Sequence, residues 1–464
     1  MNLTDEQLAI IQLSKNLKAN EILSIQACAG SGKTYTLKQI ALANSNKRFL
    51  YLAFNKAIVV ESKGKFPKNV EVKTLHSLAL SYAKKTLGGF KLIPNINIFD
   101  LQKIFIAENN KLILALKSFN DFLKSNESLE SQPKFIKEIY QAVLNKELPM
   151  FHNFYLKYYA LAKDKNLEKK YDCILLDEAQ DTNATMLEIF LQNRCAKVLV
   201  GDSFQNIYGF NHSLNAFKII NPTYTTTLSK SFRCNQKIID YANFFLQNFT
   251  NQNFTKLQSY CNENISPNNK AIITRTNAGI IEFINQIENE AEYALLKEPD
   301  KIFAPLYAII HFKNAKFALI PQEYAYFKNF STTKELYEYI NKCQDKELLS
   351  ALNFLNKGLN IYEISKKAKR LFYNKSAKNF ILNAHQAKGL EWDSVELYND
   401  FSPLKDLQED FIKEKNKQKK QELYLNLEQE RNLFYVAITR AKNQLIDTSR
   451  NKIFYLSQND SQGF

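Results

Sequence analysis

The residues Ala27-Cys28-Ala29-Gly30-Ser31-Gly32-Lys33-Thr34 have the types and spacing of a phosphate cradle. Backbone N–H groups of such a turn, Ala29 to Gly32 among them, and of the helix that follows point inward at an anion. Gly30 and Gly32 let the backbone close around phosphate oxygens. Lys33 reaches β- and γ-phosphates, and the Thr34 hydroxyl meets Mg²⁺. The usual pattern opens with Gly, and Ala27 stands there instead. A second cluster, Asp177-Glu178, follows the apolar run Cys173-Ile174-Leu175-Leu176. Asp177 is the expected Mg²⁺ holder, directly or through water. Glu178 is the expected base that positions and deprotonates an attacking water. Gln205, just past Asp202, is placed to contact a γ-phosphate and report its loss.

These residues need a scaffold that brings distant stretches to one edge. Ile22 to Gln26 reads as a buried strand running into the glycine turn, and Tyr35 to Ala43 as the helix after it. Further apolar strands are expected at Phe49–Ala53, Val70–Thr74, Cys173–Leu176 and Lys197–Val200. Strands alternating with helices indicate an α/β chain with a parallel sheet covered on both faces. Ligands in such sheets sit beyond the carboxyl ends of the strands, where the polar clusters fall. A second set is expected from about Thr225, with strands at Ala271–Thr274, Phe380–Leu382, Val395–Tyr398 and Gln444–Ile446. Helical periods dominate Leu80–Lys170 and Glu290–Tyr373, which read as insertions. Thr4 and Gln7 have the spacing of a capping box opening the first helix. Lys405–Glu430, dense in both charges, reads as a solvated helix.

The chain has 464 residues, enough for more than one domain, and a formal charge of +15. A basic excess suits a polyanionic partner, although a lysine-rich composition contributes to it. Six cysteines form no C-x-x-C pair, which argues against zinc or iron–sulfur ligation and fits a reducing compartment. No apolar run is long enough to span a bilayer, and Met1–Gln7 holds no basic leader followed by an apolar core. A soluble, cytoplasmic protein with no membrane partner is expected.

Several strings resemble the UvrD/Rep type of superfamily 1 helicases. They are the glycine turn, Asp177-Glu178-Ala179-Gln180-Asp181, and Gly201-Asp202 with Gln205, Ile207 and Tyr208. Ser231-Phe232-Arg233, His385 to Asp393 and Tyr435 to Ala441 continue the family's order. Leu52 to Ala57 and Lys388 to Asp393 are most similar to the F-box DNA helicase branch. With the first motif starting at Leu3, no F-box is expected ahead of it, so the resemblance implies the motor and not ubiquitin ligase assembly.

The resemblance implies two RecA-like P-loop domains, parallel sheets flanked by helices, each with a mostly helical insertion. The first domain is expected at 1–80 and 168–227 with its insertion at 81–167. The second is expected at 228–290 and 374–464, with a short insertion at 291–373 in place of the family's larger one. ATP and Mg²⁺ are the implied cofactors. Gln7 is the implied adenine reader, Phe232 the ring stacking on adenine, and Glu391 a further nucleotide contact. Arg233 and Arg440, from the second set of strands, would meet the γ-phosphate charge, a role worth ~10³–10⁵ in rate in phosphoryl transfer. Hydrolysis would then drive domain motion. Phe54, Asn55, Thr74, His76, Tyr208, Phe210 and His385 are the implied nucleic-acid contacts. Departures from the family pattern are Asn211-His212 after Phe210, Asn383 ahead of His385, and Cys28 in the turn. The first two bear on grip and coupling, not on hydrolysis.

The expected activity is ATP-dependent 3′→5′ translocation on single-stranded DNA with unwinding of tailed duplex, in repair or recombination. A DNA-dependent ATPase that strips nucleoprotein without unwinding is the alternative. A monomer that meets repair or recombination proteins is expected.

Overall fold

The computed structural model describes residues 3–53, 56–62, 64–165, 167–207, 215–250, 254–261, 266–343 and 346–459. They form two compact units, Met1–Phe232 with Phe254–Gln258, and Arg233–Asn253 with Ser259–Phe464.

The first unit is built on β1 (Ile22–Ala27), β2 (Phe49–Ala53), β3 (Val70–Thr74), β6 (Cys173–Leu176), β7 (Ala196–Gly201) and β8 (Tyr224–Leu228). A minor parallel pair, β4 (Leu92–Ile93) and β5 (Met150–Phe151), belongs to the insertion. The main sheet runs β3-β2-β6-β7-β1-β8, and every pairing is parallel. β2, β6 and β7 are buried along their whole length, as strands covered on both faces must be. Alternation divides their side chains between two cores. Phe49, Tyr51, Leu175, Val198 and Val200 pack with Leu37 and Ile40 of the helix Lys33–Ala43. Leu50, Leu52, Leu176 and Leu199 join Phe119, Phe122, Ile139 and Phe154 of the insertion. Each such side chain contributes roughly 1.5–3 kcal/mol on burial, so the insertion is fused to the sheet through one core. Its helix Lys134–Leu144 buries Ile136, Ile139, Tyr140 and Val143, the face its periodicity predicts.

One expectation is corrected. The strand near Thr225 does not open the second set; it is β8, paired with β1 from Leu23↔Tyr224 to Ala27↔Leu228. A threonine run suits a half-solvated outer strand, and only Leu228 is buried.

The second unit holds β9 (Lys270–Thr274), β10 (Tyr293–Leu295), β11 (Asn379–Asn383), β12 (Trp392–Leu397) and β13 (Ala441–Asp447). They form a parallel sheet of order β10-β11-β9-β12-β13. Between β10 and β11 lie the helices Pro299–Lys313, Thr333–Cys343, Lys346–Leu355 and Ile361–Tyr373. Their apolar faces share a core with Ile280, Ile284 and Ile381. The charged stretch 405–430 spans two helices, Leu404–Lys413 and Lys417–Ile438. The second is buried from Leu427 to Ile438 apart from solvent-side Glu428 and Gln429, so only its first half fits the solvated reading. Trp392 is a core residue. Among the described residues no helix is long and apolar enough to cross a membrane.

Candidate nucleotide and nucleic-acid site

β1 delivers the glycine turn, and the helix Lys33–Ala43 starts directly after it. Gly30 and Gly32 have φ of 72° and 76°, which only glycine adopts without strain. No side chain caps the helix at Gly32, which leaves its N-terminus suited to an anion. Ser231 and Phe232 lie against this turn: the Ser231 hydroxyl donates to Ala29 O at 2.8 Å and the Phe232 N–H to Gly30 O at 2.9 Å. A Cβ on Gly32 would sit 3.5 Å from Gln7 Nε2 and 4.0 Å from the Phe232 ring, so both implied adenine contacts flank the turn. Gln7 also completes the capping box with Thr4 and donates to Thr36 Oγ1 at 3.2 Å.

β6 ends at Leu176, and Asp177, the next residue, is 3% exposed. Its Oδ2 accepts from the Thr34 hydroxyl at 2.9 Å and from the Tyr51 hydroxyl at 2.7 Å; its Oδ1 accepts from the Glu178 N–H at 2.9 Å. Burial, then the neighbouring Glu178, push the Asp177 carboxyl above its ordinary range, while Lys33, Tyr51 and Thr34 pull it back. Glu178 sits in the left-handed region at φ 53°, a strain of order 1–3 kcal/mol, and places a carboxylate oxygen 3.7 Å from Lys33 Nζ. A hydroxyl and a buried carboxylate in contact fit Mg²⁺, which takes few protein oxygens and fills its octahedron with water and phosphate. The described residues hold no cluster of three or more His, Cys, Asp or Glu that could hold a metal ion.

The loop after β7 is tied to the same carboxylates by Gln180. Its amide donates to Glu178 Oε2, its Oε1 accepts from the Asp202 N–H at 3.1 Å, and its carbonyl accepts from Asn206 Nδ2 at 2.8 Å. Gln205 donates to Asp202 Oδ2 at 2.9 Å. Gly201 is required here, because a Cβ would come within 2.2 Å of Gln180 Oε1.

In the second unit Arg233, Glu391, Thr439 and Arg440 come together. Arg233 Nε donates to Glu391 Oε2 at 2.7 Å and Nη1 to Thr439 O at 3.3 Å. Lys442 pairs with the other Glu391 oxygen at 2.9 Å. Burial opposes ionisation of Glu391, but Lys442 and Arg233 outweigh it and hold the carboxyl below its ordinary range. Arg440 is 1% exposed and donates to Val436 O, Leu390 O and Thr439 Oγ1. Its guanidinium is thus engaged at the end of the helix Lys417–Ile438, whereas Arg233 is the more accessible of the two.

Of the implied nucleic-acid residues, Phe54, Asn55, Tyr208 and Phe210 lie outside the described residues, as do Asn211 and His212. Thr74 ends β3 and caps the helix Leu75–Leu87, accepting from the Ser77 N–H at 3.0 Å. His76 packs edge-on against Tyr155 and His152, and its Nδ1 is buried without a hydrogen-bond partner. Burial, then His152, lower its pKa to about 4. His385 is half-buried in the short helix Ala384–Ala387, which Asn383 caps by accepting from the Gln386 N–H at 3.0 Å. Asn383 thereby serves as an N-cap, a role Asn fills as well as Thr.

A family profile described as an AAA domain matches residues 9–211, and one described as a UvrD-like helicase C-terminal domain matches residues 284–452. The F-box DNA helicase protein 1 of Schizosaccharomyces pombe is 29% identical over 96% of this chain and 57% of its own length. The F-box DNA helicase 1 of Gallus gallus is 27% identical over 96% of this chain and 49% of its own. The probable DNA helicase II homolog of Mycoplasma capricolum is 26% identical over 53% of this chain and 41% of its own. The chain is thus similar to UvrD-like helicases over residues 284–452 and to these F-box DNA helicases over most of its own length. The chain spans about half the length of the F-box relatives it matches.

Three residues at the site carry no role in the sequence reading. Gln180 was only a letter between two acids. Lys442 lies just beyond the last motif. Tyr51 was read as one more apolar strand residue, although a hydroxyl inside Phe49-Leu50-Tyr51-Leu52-Ala53 needs a buried partner and so signals one.

Proposed function

We propose that the chain is an ATP- and Mg²⁺-dependent motor that moves 3′→5′ along single-stranded DNA and unwinds tailed duplex, in repair or recombination. The observation that carries this reading is the meeting of Lys33, Thr34, Asp177 and Glu178 at one glycine turn. The turn and Lys33 hold the phosphates. Thr34 and Asp177 would hold Mg²⁺, which would supply charge neutralisation to the phosphates. Glu178 orients the attacking water and takes its proton, and Gln205 contacts the γ-phosphate. Gln7, Phe232 and Glu391 bind the nucleoside. Arg233 and Arg440 meet the charge that develops on the γ-phosphate. Thr74, His76 and His385, with Phe54, Asn55, Tyr208 and Phe210, contact the strand; base–aromatic stacking is worth ~1–3 kcal/mol per base and reads no sequence.

The deciding experiment is strand displacement on duplexes with a 3′ or a 5′ tail, beside ATP turnover with and without single-stranded DNA. Unwinding confined to the 3′ tail supports the motor. DNA-stimulated turnover without displacement favours the nucleoprotein-stripping ATPase, and unstimulated turnover rejects both. Lys33→Ala should abolish hydrolysis; unchanged turnover would reject the site.

A further inference from the structure

The contact between Tyr51 and Asp177 is unexplained by the phosphate chemistry. Tyr51 is 0% exposed, in a strand whose other residues are apolar or small. Parallel pairing sets Tyr51 opposite Leu175, so Asp177, two residues further on and just past the end of β6, is its diagonal neighbour on the same face. The phenol reaches across and donates to Asp177 Oδ2 at 2.7 Å, on the oxygen that also accepts from Thr34. The ring is held for that task by Phe66, which packs on it with centroids 4.6 Å apart.

We propose that Tyr51 is a brace that positions Asp177 for Mg²⁺. This rests on Asp177 being the metal-holding carboxylate. Tyr51 is a positioning residue: it touches neither nucleotide nor metal. A carboxylate on a short side chain has two torsions to lose on binding a cation. A fixed donor on one oxygen removes that freedom in advance and leaves the remaining lone pairs aimed at the ion.

Mn²⁺ tests the brace without turnover. It is titrated by electron paramagnetic resonance into the protein saturated with ADP, for wild type, Tyr51→Phe, Asp177→Asn and the double variant. Tyr51→Phe should weaken Mn²⁺ about tenfold, the lower end of the 10–100-fold cost of losing a partner behind a metal ligand. ADP affinity in EDTA should be unchanged, because ring packing and phosphate loop are intact. The double variant should bind Mn²⁺ no more weakly than Asp177→Asn alone. Unchanged Mn²⁺ affinity in Tyr51→Phe, or additive losses in the double variant, overturns the brace. Wild-type Mn²⁺ affinity in Asp177→Asn would instead overturn the metal assignment beneath it. Loss of ADP binding in Tyr51→Phe would make the hydroxyl a requirement of the phosphate site itself and would likewise overturn the brace.

Discussion

Glu178 shows how one backbone torsion decides a residue's task. Adjacent carboxylates at a strand end would ordinarily point to opposite sides. The left-handed turn at φ 53° instead sends Glu178 to Lys33 while Asp177 stays buried against Thr34. Two like charges thus take two environments, one buried against Thr34 and one more exposed beside Lys33. Glu178→Gln should keep nucleotide binding and lose turnover by ~10²–10⁴. Phosphate release with a fluorescent-nucleotide titration checks this, and an undiminished rate would place the base elsewhere. His76 gives a second test. Its folded pKa of about 4 lies below the ordinary value, so the fold prefers the neutral ring. As pH falls from about 6.5 toward 4 the unfolded chain takes the proton first, and stability is lost at up to ~1.4 kcal/mol per pH unit. Urea midpoints at pH 7 and pH 5 should fall less in His76→Gln than in wild type. Equal falls would assign the acid sensitivity to another group.

At the scale of elements, the site depends on what lies behind the strand ends. Gly201 closes β7 where Gln180 crosses from the Glu178 turn to the Asp202 N–H. A methyl group there collides with Gln180 Oε1 at 2.2 Å, and the backbone N of Ala179 lies 3.0 Å away on the same side. Gly201→Ala should therefore detach the Gln205 loop from the carboxylates. We expect a lower melting temperature and ATP turnover reduced more than nucleotide binding; a variant matching wild type in both would show the crossing to be dispensable. The central strands were legible in sequence because burial on both faces writes a continuous apolar run, as in Cys173–Leu176. The glycine turn and the acidic pair were legible because their chemistry is local. Thr225 was misread because an outer strand buries one residue in five and leaves no periodic signature. Tyr51 and Gln180 escaped because their partners are set by sheet register and loop crossing, which no short window of sequence contains.

For the whole molecule, the net charge of +15 poses a question that ion pairing sharpens. Lys103, Lys111, Lys301, Lys366 and Lys413 each lie within 4 Å of a carboxylate three or four residues away. Such exposed pairs are worth little to stability, but they spend cations on local acids rather than on a distant polyanion. Even if all 47 acids were paired in this way, 15 of the 62 basic side chains would remain. That surplus cannot lower the folding free energy of a compact chain, since like charges repel. A nucleic-acid partner gives it a use, and counterion release gives it a signature. Single-stranded binding loses affinity with a slope of about −0.7 in log K against log salt for each phosphate neutralised. If only three of the fifteen surplus cations touch phosphates, the slope for this chain is about −2. Fluorescence anisotropy with a labelled oligonucleotide across a salt series measures it directly. A slope near zero would mean that the basic excess is compositional and that stacking alone holds the strand.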